Sequence, residues 1–230
     1  MRLALREFRR RPGKFAAAIV ILTFVSVLIV YLGGLIDGTT KGGTGALRAQ
    51  DGRLMVFADT ARLSTPESRI DASLRQRIEQ VPGADEVGGL GITQLGARLP
   101  DAGPRDLIDV SVIGYDLPGG PLPLPPAPGE ALADVSLRSA GVRVGMVLTV
   151  GPERTPLTVV GFVSDTTYDG QGTLWTPMAT WREVQNANRP AKAAGQDGQQ
   201  VVVVSGAGDQ AELRTSIEQL GGVEVVTPSE

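Results

Sequence analysis

From Phe15 to Ile36 (FAAAIVILTFVSVLIVYLGGLI) the chain carries no charge for 22 residues. Its apolar positions run right round a helix rather than along one stripe, which is the pattern of a membrane span and not of a surface helix. As a helix the segment rises roughly 33 Å, against about 30 Å for a hydrocarbon core. Thr23, Ser26 and Tyr31 are its polar residues, and a helix satisfies such hydroxyls on its own carbonyls. A cleaved signal peptide shares the charged start and apolar middle, but its apolar part usually covers about 7–15 residues and ends at a small-x-small site. This one is longer, and Gly33-Gly34 sits between Leu32 and Leu35. A retained anchor over 15–36 is the expectation.

The pattern changes sharply after Ile36. Residues 37–52 contain GTTKGGTG (Gly38–Gly45), which reads as a flexible exit linker, since no GKS or GKT follows to make a phosphate loop. Residues 53–59 are apolar enough for a buried strand. Ser64, Pro66 and Glu67 predict a helix start, with Ile70, Leu74, Ile78 and Val81 as its stripe and Pro82-Gly83 as its stop. An irregular strand is expected over 87–99 and a regular one over 109–115. The run Pro118–Pro128 is a surface crossing in extended geometry. A short helix over 134–140, strands over 146–150 and 157–163 joined by Gly151–Arg154, and a short strand over 173–175 follow. A helix over 178–187 leads to a polar loop over 186–200. Val201–Val204 is an apolar strand, Asp209 and Glu212 open a helix with Leu213, Ile217 and Leu220 on its buried side, and Val223–Val226 is the last strand. Strand-helix-strand units at each end, flanking a β-rich insertion at about 105–165, give an α+β fold for residues 53–230.

Charge sets the orientation. Arg2, Arg6, Arg9, Arg10, Arg11 and Lys14 precede the apolar segment beside a single acid, Glu7, leaving 16 basic against 24 acidic residues from Asp37 onward, a net of about −8. Positive flanks stay cytoplasmic, so residues 1–14 are expected inside and Asp37 outside. A cationic head on an acidic body argues against nucleic acid, which needs positive charge spread over the folded surface.

Catalytic and metal signals are weak. Cysteine and histidine are both absent, which excludes thiolate and imidazole metal sites and a histidine base. VVVVSGAG (Val201–Gly208) resembles the opening of a dinucleotide site, but the glycine pattern is incomplete and too little chain follows for a second βαβ unit. Asp85-Glu86 follows a Pro-Gly stop and reads as a turn. Asp165 and Asp169 flank Tyr168, and two acids at that spacing are a slight signal for a cation. No catalytic, cofactor-binding or metal-ligating residue is assigned, no cofactor is expected, and no enzyme is expected.

Several segments together carry a family resemblance. Gly129–Asp165 (GEALADVSLRSAGVRVGMVLTVGPERTPLTVVGFVSD) resembles the middle of the MacB-like periplasmic core domain of FtsX-like ABC transporter permeases. Ile78–Val87 (IEQVPGADEV) and Val112–Asp116 (VIGYD) are similar to two further segments of that domain, and Tyr168–Trp181 (YDGQGTLWTPMATW) looks like its actinobacterial or related bacterial versions. The resemblance implies the permease subunit of an ABC transporter in a bacterial cell membrane. Its expected partners are a separate ABC ATPase, the lipid bilayer, and a second permease as homodimer or pair. The extracytoplasmic partner or substrate is left open by the resemblance. Such permeases continue into three more membrane helices, so the chain is expected to be either their first half or a membrane-anchored extracytoplasmic binding or scaffold protein without transport activity.

Overall fold

The structure is a computed structural model that describes residues 12–103, 105–189 and 198–228, with α1 side chains described for 19–33 and from 43 onward. Two compact units result, one ending at Lys41 and one beginning at Gly42. The first belongs to helix α1, Pro12–Arg48. From Ile19 to Leu32 its large apolar side chains are all exposed, Val30 by 75%. Ser26 donates its hydroxyl to the Leu22 carbonyl at 2.8 Å, as expected of a hydroxyl in an apolar helix. Among the described residues no helix is long and apolar enough to cross a membrane; the run 15–36 extends past the described side chains at both ends. The basic segment 1–14 lies largely outside the described residues. The linker expected over 37–52 is corrected, because the helix continues to Arg48. Glycine costs a helix only about 1 kcal/mol each, and the last turns are held by the packing of Ala46 and Ala49.

The second unit is built on one nine-stranded sheet. Its strands are β1 (Leu54–Ala58), β2 (Glu86–Arg98), β3 (Ile108–Tyr115), β4 (Glu130–Asp134), β5 (Val147–Val150), β6 (Thr155–Val163), β7 (Gly172–Pro177), β8 (Val201–Ser205) and β9 (Val223–Val226). Helices α2 (Ala72–Glu79), α3 (Met178–Asn188) and α4 (Gln210–Glu218) complete it. The sheet order is β3-β7-β4-β6-β5-β2-β8-β1-β9, and β3 also pairs with β2. That extra pairing closes six strands, β2-β3-β7-β4-β6-β5, into a barrel. The remaining order, β9-β1-β8-β2, is antiparallel throughout. With α2 and α4 it forms a split βαβ sandwich, and the barrel is inserted between its second and third strands. The α+β class therefore holds, with a large mixed sheet that contains two parallel pairs, β3–β7 and β4–β6.

One strand serves both halves. In its first part β2 pairs with β8 (Glu86 to Leu90) and in its second with β3 (Leu90 to Ala97), turning onto β5 at Ala97 and Arg98. Gly88, Gly89 and Gly91 along it leave room that side chains from elsewhere fill: an ideal Cβ on Gly91 would lie 2.5 Å from the Trp181 ring. Three cores follow. Alternate residues of all six barrel strands, with Met178, Trp181 and Val184 of α3, fill the barrel. Leu54, Val56, Val202 and Val204 bury one face of the sandwich sheet under α2 and α4. Its opposite face, Met55, Phe57, Val201 and Val203, packs with Ile113, Tyr115, Leu132 and Trp175 from the barrel wall.

Some boundaries move. The helix expected from Ser64 begins at Ala72, with Asp71 as its cap accepting from the Leu74 amide at 2.8 Å. Ser64–Ile70 is instead held extended and turned: Ser68 Oγ accepts the Ala58 amide at 3.0 Å, and Ile70 bridges to Gln199. These tertiary bonds outcompete a local capping box. The helix expected over 134–140 shrinks to a single 3₁₀ turn, Val135–Arg138, because Glu130–Asp134 is taken into the sheet as β4.

Candidate functional site

Small residues at the end of α1 let the helix enter the domain. Ala46 and Ala49 are 1% and 3% exposed, seated among Met55, Phe57, Ile113 and Trp175 in the core between sandwich sheet and barrel wall. Gly45 faces backbone: an ideal Cβ there would lie 2.8 Å from the carbonyl oxygens of both Asp165 and Thr167. No side chain fits. The loop it meets, residues 164–171, connects β6 to β7. It is bonded to the helix through the backbone, the Ala46 amide donating to Thr167 O at 3.1 Å and the Asp169 amide donating to Gly43 O at 3.0 Å. Thr44 and Tyr168 form an isolated antiparallel bridge. The helix end thus gains sheet-like hydrogen bonds to the barrel.

The loop is itself anchored from inside. Asp134, the last residue of β4, is 1% exposed. Its carboxylate accepts the Ser136 amide at 2.9 Å, the Thr166 amide at 3.0 Å and the Thr166 hydroxyl at 2.7 Å. Thr166 Oγ1 also meets Thr173 Oγ1 of β7 at 2.9 Å. Burial pushes the Asp134 carboxyl upward, but the hydrogen bonds from Ser136 and Thr166 outweigh it and hold the group below the ordinary carboxylate value. In the same loop, burial raises the Tyr168 phenol, a hydrogen bond with Thr65 opposes the rise, and the Asp169 charge adds to it. The arrangement is a clamp: strands β4, β6 and β7 hold the loop, and the loop holds the helix.

The chain just beyond the helix is tied down as well. Arg53 donates to Gln50 Oε1 at 3.0 Å and to Pro118 O at 2.6 Å. The proline run expected at the surface is partly inside, because Leu122 is 3% exposed and the Tyr115 hydroxyl donates to Pro123 O at 3.2 Å. Tyr115 meets Trp175 edge-on at 5.4 Å, and burial pushes its phenol up to about 12.

Residues weighed for chemistry take structural places. Asp165 and Asp169 adopt left-handed backbone, φ +58° and +50°, and shape the clamp loop. Asp85 accepts the Ala207 amide at 2.7 Å, and Glu86 accepts the Ser205 hydroxyl at 3.0 Å and pairs with Arg53 at 3.6 Å. Gly206 lies tight against the Gly83 carbonyl, so the stretch resembling a dinucleotide loop is a packed turn. Among the described residues no three acids gather as a metal site would require. The clamp residues Asp134, Thr166 and Thr173 were not singled out from the sequence. A signal existed: an acid inside the apolar run Ala131–Val135 must be satisfied by something.

Comparison with known proteins places this architecture. No protein-family model matches the sequence, and no curated protein matches it. Solved structures do. The extracellular domain of the noncanonic ABC-type transporter YknZ from Gram-positive bacteria is similar with a TM-score of 0.51 and 11% identity, over 76% of this chain and 100% of that one. The periplasmic region of MacB from Actinobacillus actinomycetemcomitans is similar with a TM-score of 0.53 and 14% identity, over 79% of this chain and 92% of that one. The second unit of the chain therefore has the fold of the extracytoplasmic domains of ABC-type transporter permeases, the fold that the sequence resemblance implied.

Proposed function

We propose that this chain is part of a permease subunit of an ABC transporter, in which the first membrane helix drives an extracytoplasmic domain. The observation that carries the reading is the clamp on residues 43–49. A helix end joined to a domain by backbone hydrogen bonds and a buried apolar seat cannot shift without moving the barrel strands that hold it. Movement of α1 in the membrane then becomes movement outside it, which is coupling through one contiguous element. The exposed apolar side chains of Ile19–Leu32 are the part of the span that faces lipid, and the basic flank before Phe15 fixes the N-terminus in the cytoplasm.

In this reading the chain holds no catalytic centre. ATP is hydrolysed by a separate subunit on the cytoplasmic side, and a second permease copy or homologue completes the assembly. What the domain handles outside is a substrate or partner of the transporter. The test has two arms. In intact cells, a membrane-impermeant maleimide should label Arg154→Cys and leave Arg10→Cys unlabelled, the chain having no cysteine of its own. Purification of the full chain from its native membrane should recover an ABC ATPase. Labelling of Arg10→Cys outside, or an absent ATPase, contradicts the proposal.

A further inference from the structure

A cavity of about 500 Å³ opens where the β5–β6 hairpin meets β2 and the end of α3. Arg98, Arg154 and Arg189 line it, with Leu95, Leu107 and Pro152 as its apolar wall, and none of its described lining residues is acidic. Three arginines on one cavity are unexpected in a body whose net charge is about −8. Arg154 from the hairpin and Arg189 from the end of α3 offer an anion donors from two different elements. Arginine is suited to the task, since its planar fork matches the oxygens of a phosphate or carboxylate.

The cavity is preorganised. Gly151 at the hairpin turn donates its amide to Gly96 O at 2.9 Å, fixing the turn on β2. From the other side Asn188, 8% exposed, accepts the Glu153 amide at 2.9 Å and donates to Thr155 Oγ1 at 3.1 Å. Arg154 is held at φ +55°, a left-handed conformation that a non-glycine residue adopts only where its surroundings impose it. Arg189 uses one nitrogen on Gln94 O at 3.0 Å, and its guanidinium has no other hydrogen-bond partner among the described residues. Leu107, 54% exposed, lies along the rim against Gly96. Arginine donors and an apolar wall in one cavity define the ligand class.

We infer that this cavity binds a small oxyanion, a phosphate or carboxylate group, carried on a short apolar body. The inference does not rest on the transport reading, since it concerns only the hairpin, β2 and α3. Arg189 also connects the cavity to the clamp: Gln94, whose carbonyl it holds, donates its Nε2 to Asp169 Oδ2 at 3.0 Å, and the Asp169 amide holds the helix at Gly43.

The test is titration calorimetry on the full chain in nonionic detergent, with inorganic phosphate, butyl phosphate and dihexanoyl phosphatidylglycerol below its micelle concentration as probes, and dihexanoyl phosphatidylcholine as control. Saturable binding is expected, tighter for butyl phosphate than for inorganic phosphate and weakened by added salt. Arg154→Asn keeps the left-handed turn and removes the charge; Arg189→Gln removes the charge at the helix end. Each should weaken binding about three- to tenfold and the pair more, while Arg214→Gln on α4 changes nothing. Binding of the phosphatidylglycerol probe with neither phosphate probe, lost in the same two variants, assigns the site to a lipid headgroup; binding of the phosphate probes assigns it to free anions. No saturable binding by any anionic probe, or binding that both single variants retain in full, overturns the inference.

Discussion

Gly45→Ala separates two opposing effects at the point where α1 enters the domain. Within a helix, alanine is favoured over glycine by about 1 kcal/mol. At this position, however, the new methyl would sit 2.8 Å from Asp165 O, 2.8 Å from Thr167 O and 2.9 Å from Thr167 N. All three are backbone atoms, so no side chain can swing away, and relief requires the loop and helix to part. Overpacking of this kind costs about 2–3 kcal/mol. The balance is a docking equilibrium weakened by about 1–2 kcal/mol, which is about a 5- to 30-fold rise in local opening. Gly43→Ala is the control, because nothing lies within 4 Å of its ideal Cβ; it carries the helix gain alone. Hydrogen exchange at the Ala46 and Asp169 amides reads the clamp directly, since both donate across it. Exchange should accelerate at both in Gly45→Ala and slow or stay unchanged in Gly43→Ala. Equal behaviour of the two variants refutes the close contact on which the coupling argument rests.

Other predictions test the parts around the clamp. Asp134→Asn replaces an acceptor of three donors by a group that donates in part, and should lower stability by about 2–3 kcal/mol in denaturant titration. Because the folded Asp134 carboxyl lies below its ordinary 3.8, its stabilisation is complete above that value and fades as pH falls through the lowered one; the variant should lose that part of the acid limb. Tyr115 should stay un-ionised in absorbance titrations until pH approaches about 12, with stability falling as pH rises from 10 toward that value as the unfolded phenol ionises. Trp181→Ala, at a fully buried ring that donates to Thr93 Oγ1 at 3.0 Å, should cost about 3–5 kcal/mol by thermal or chemical unfolding.

Much of the architecture was legible in the sequence because it rests on periodicity and caps. The strands at 54–58, 109–115 and 201–204 are continuous apolar or alternating runs, and Asp209 caps its helix with the expected bond to the Ala211 amide at 2.8 Å. What escaped depends on distant partners. Ser64 looks like a helix cap until Ser68 is drawn to the Ala58 amide. Glu130–Asp134 is too short and too mixed to announce a strand, and becomes one through its parallel pairing with β6 and antiparallel pairing with β7. Gly38–Gly45 reads as a linker by composition. Gly45 is used there for close approach, which composition alone cannot distinguish from flexibility. The loop expected over 186–200 falls partly at 190–197, outside the described residues, and α3 runs on to Asn188. The helix end of the clamp thus lies more than 80 residues in sequence from the strand and loop that hold it, and no local pattern encodes the contact.

The most direct measurement of the account is a disulfide between helix and loop. Thr44 and Tyr168 are bridge partners, a spacing that accommodates a disulfide, and the chain has no other cysteine to compete. In native membranes, Thr44→Cys/Tyr168→Cys should cross-link nearly completely under mild oxidation, while Thr44→Cys/Arg214→Cys should not. Failure of the first pair to close, or equal closure of both, would show that the helix end is not seated in the domain.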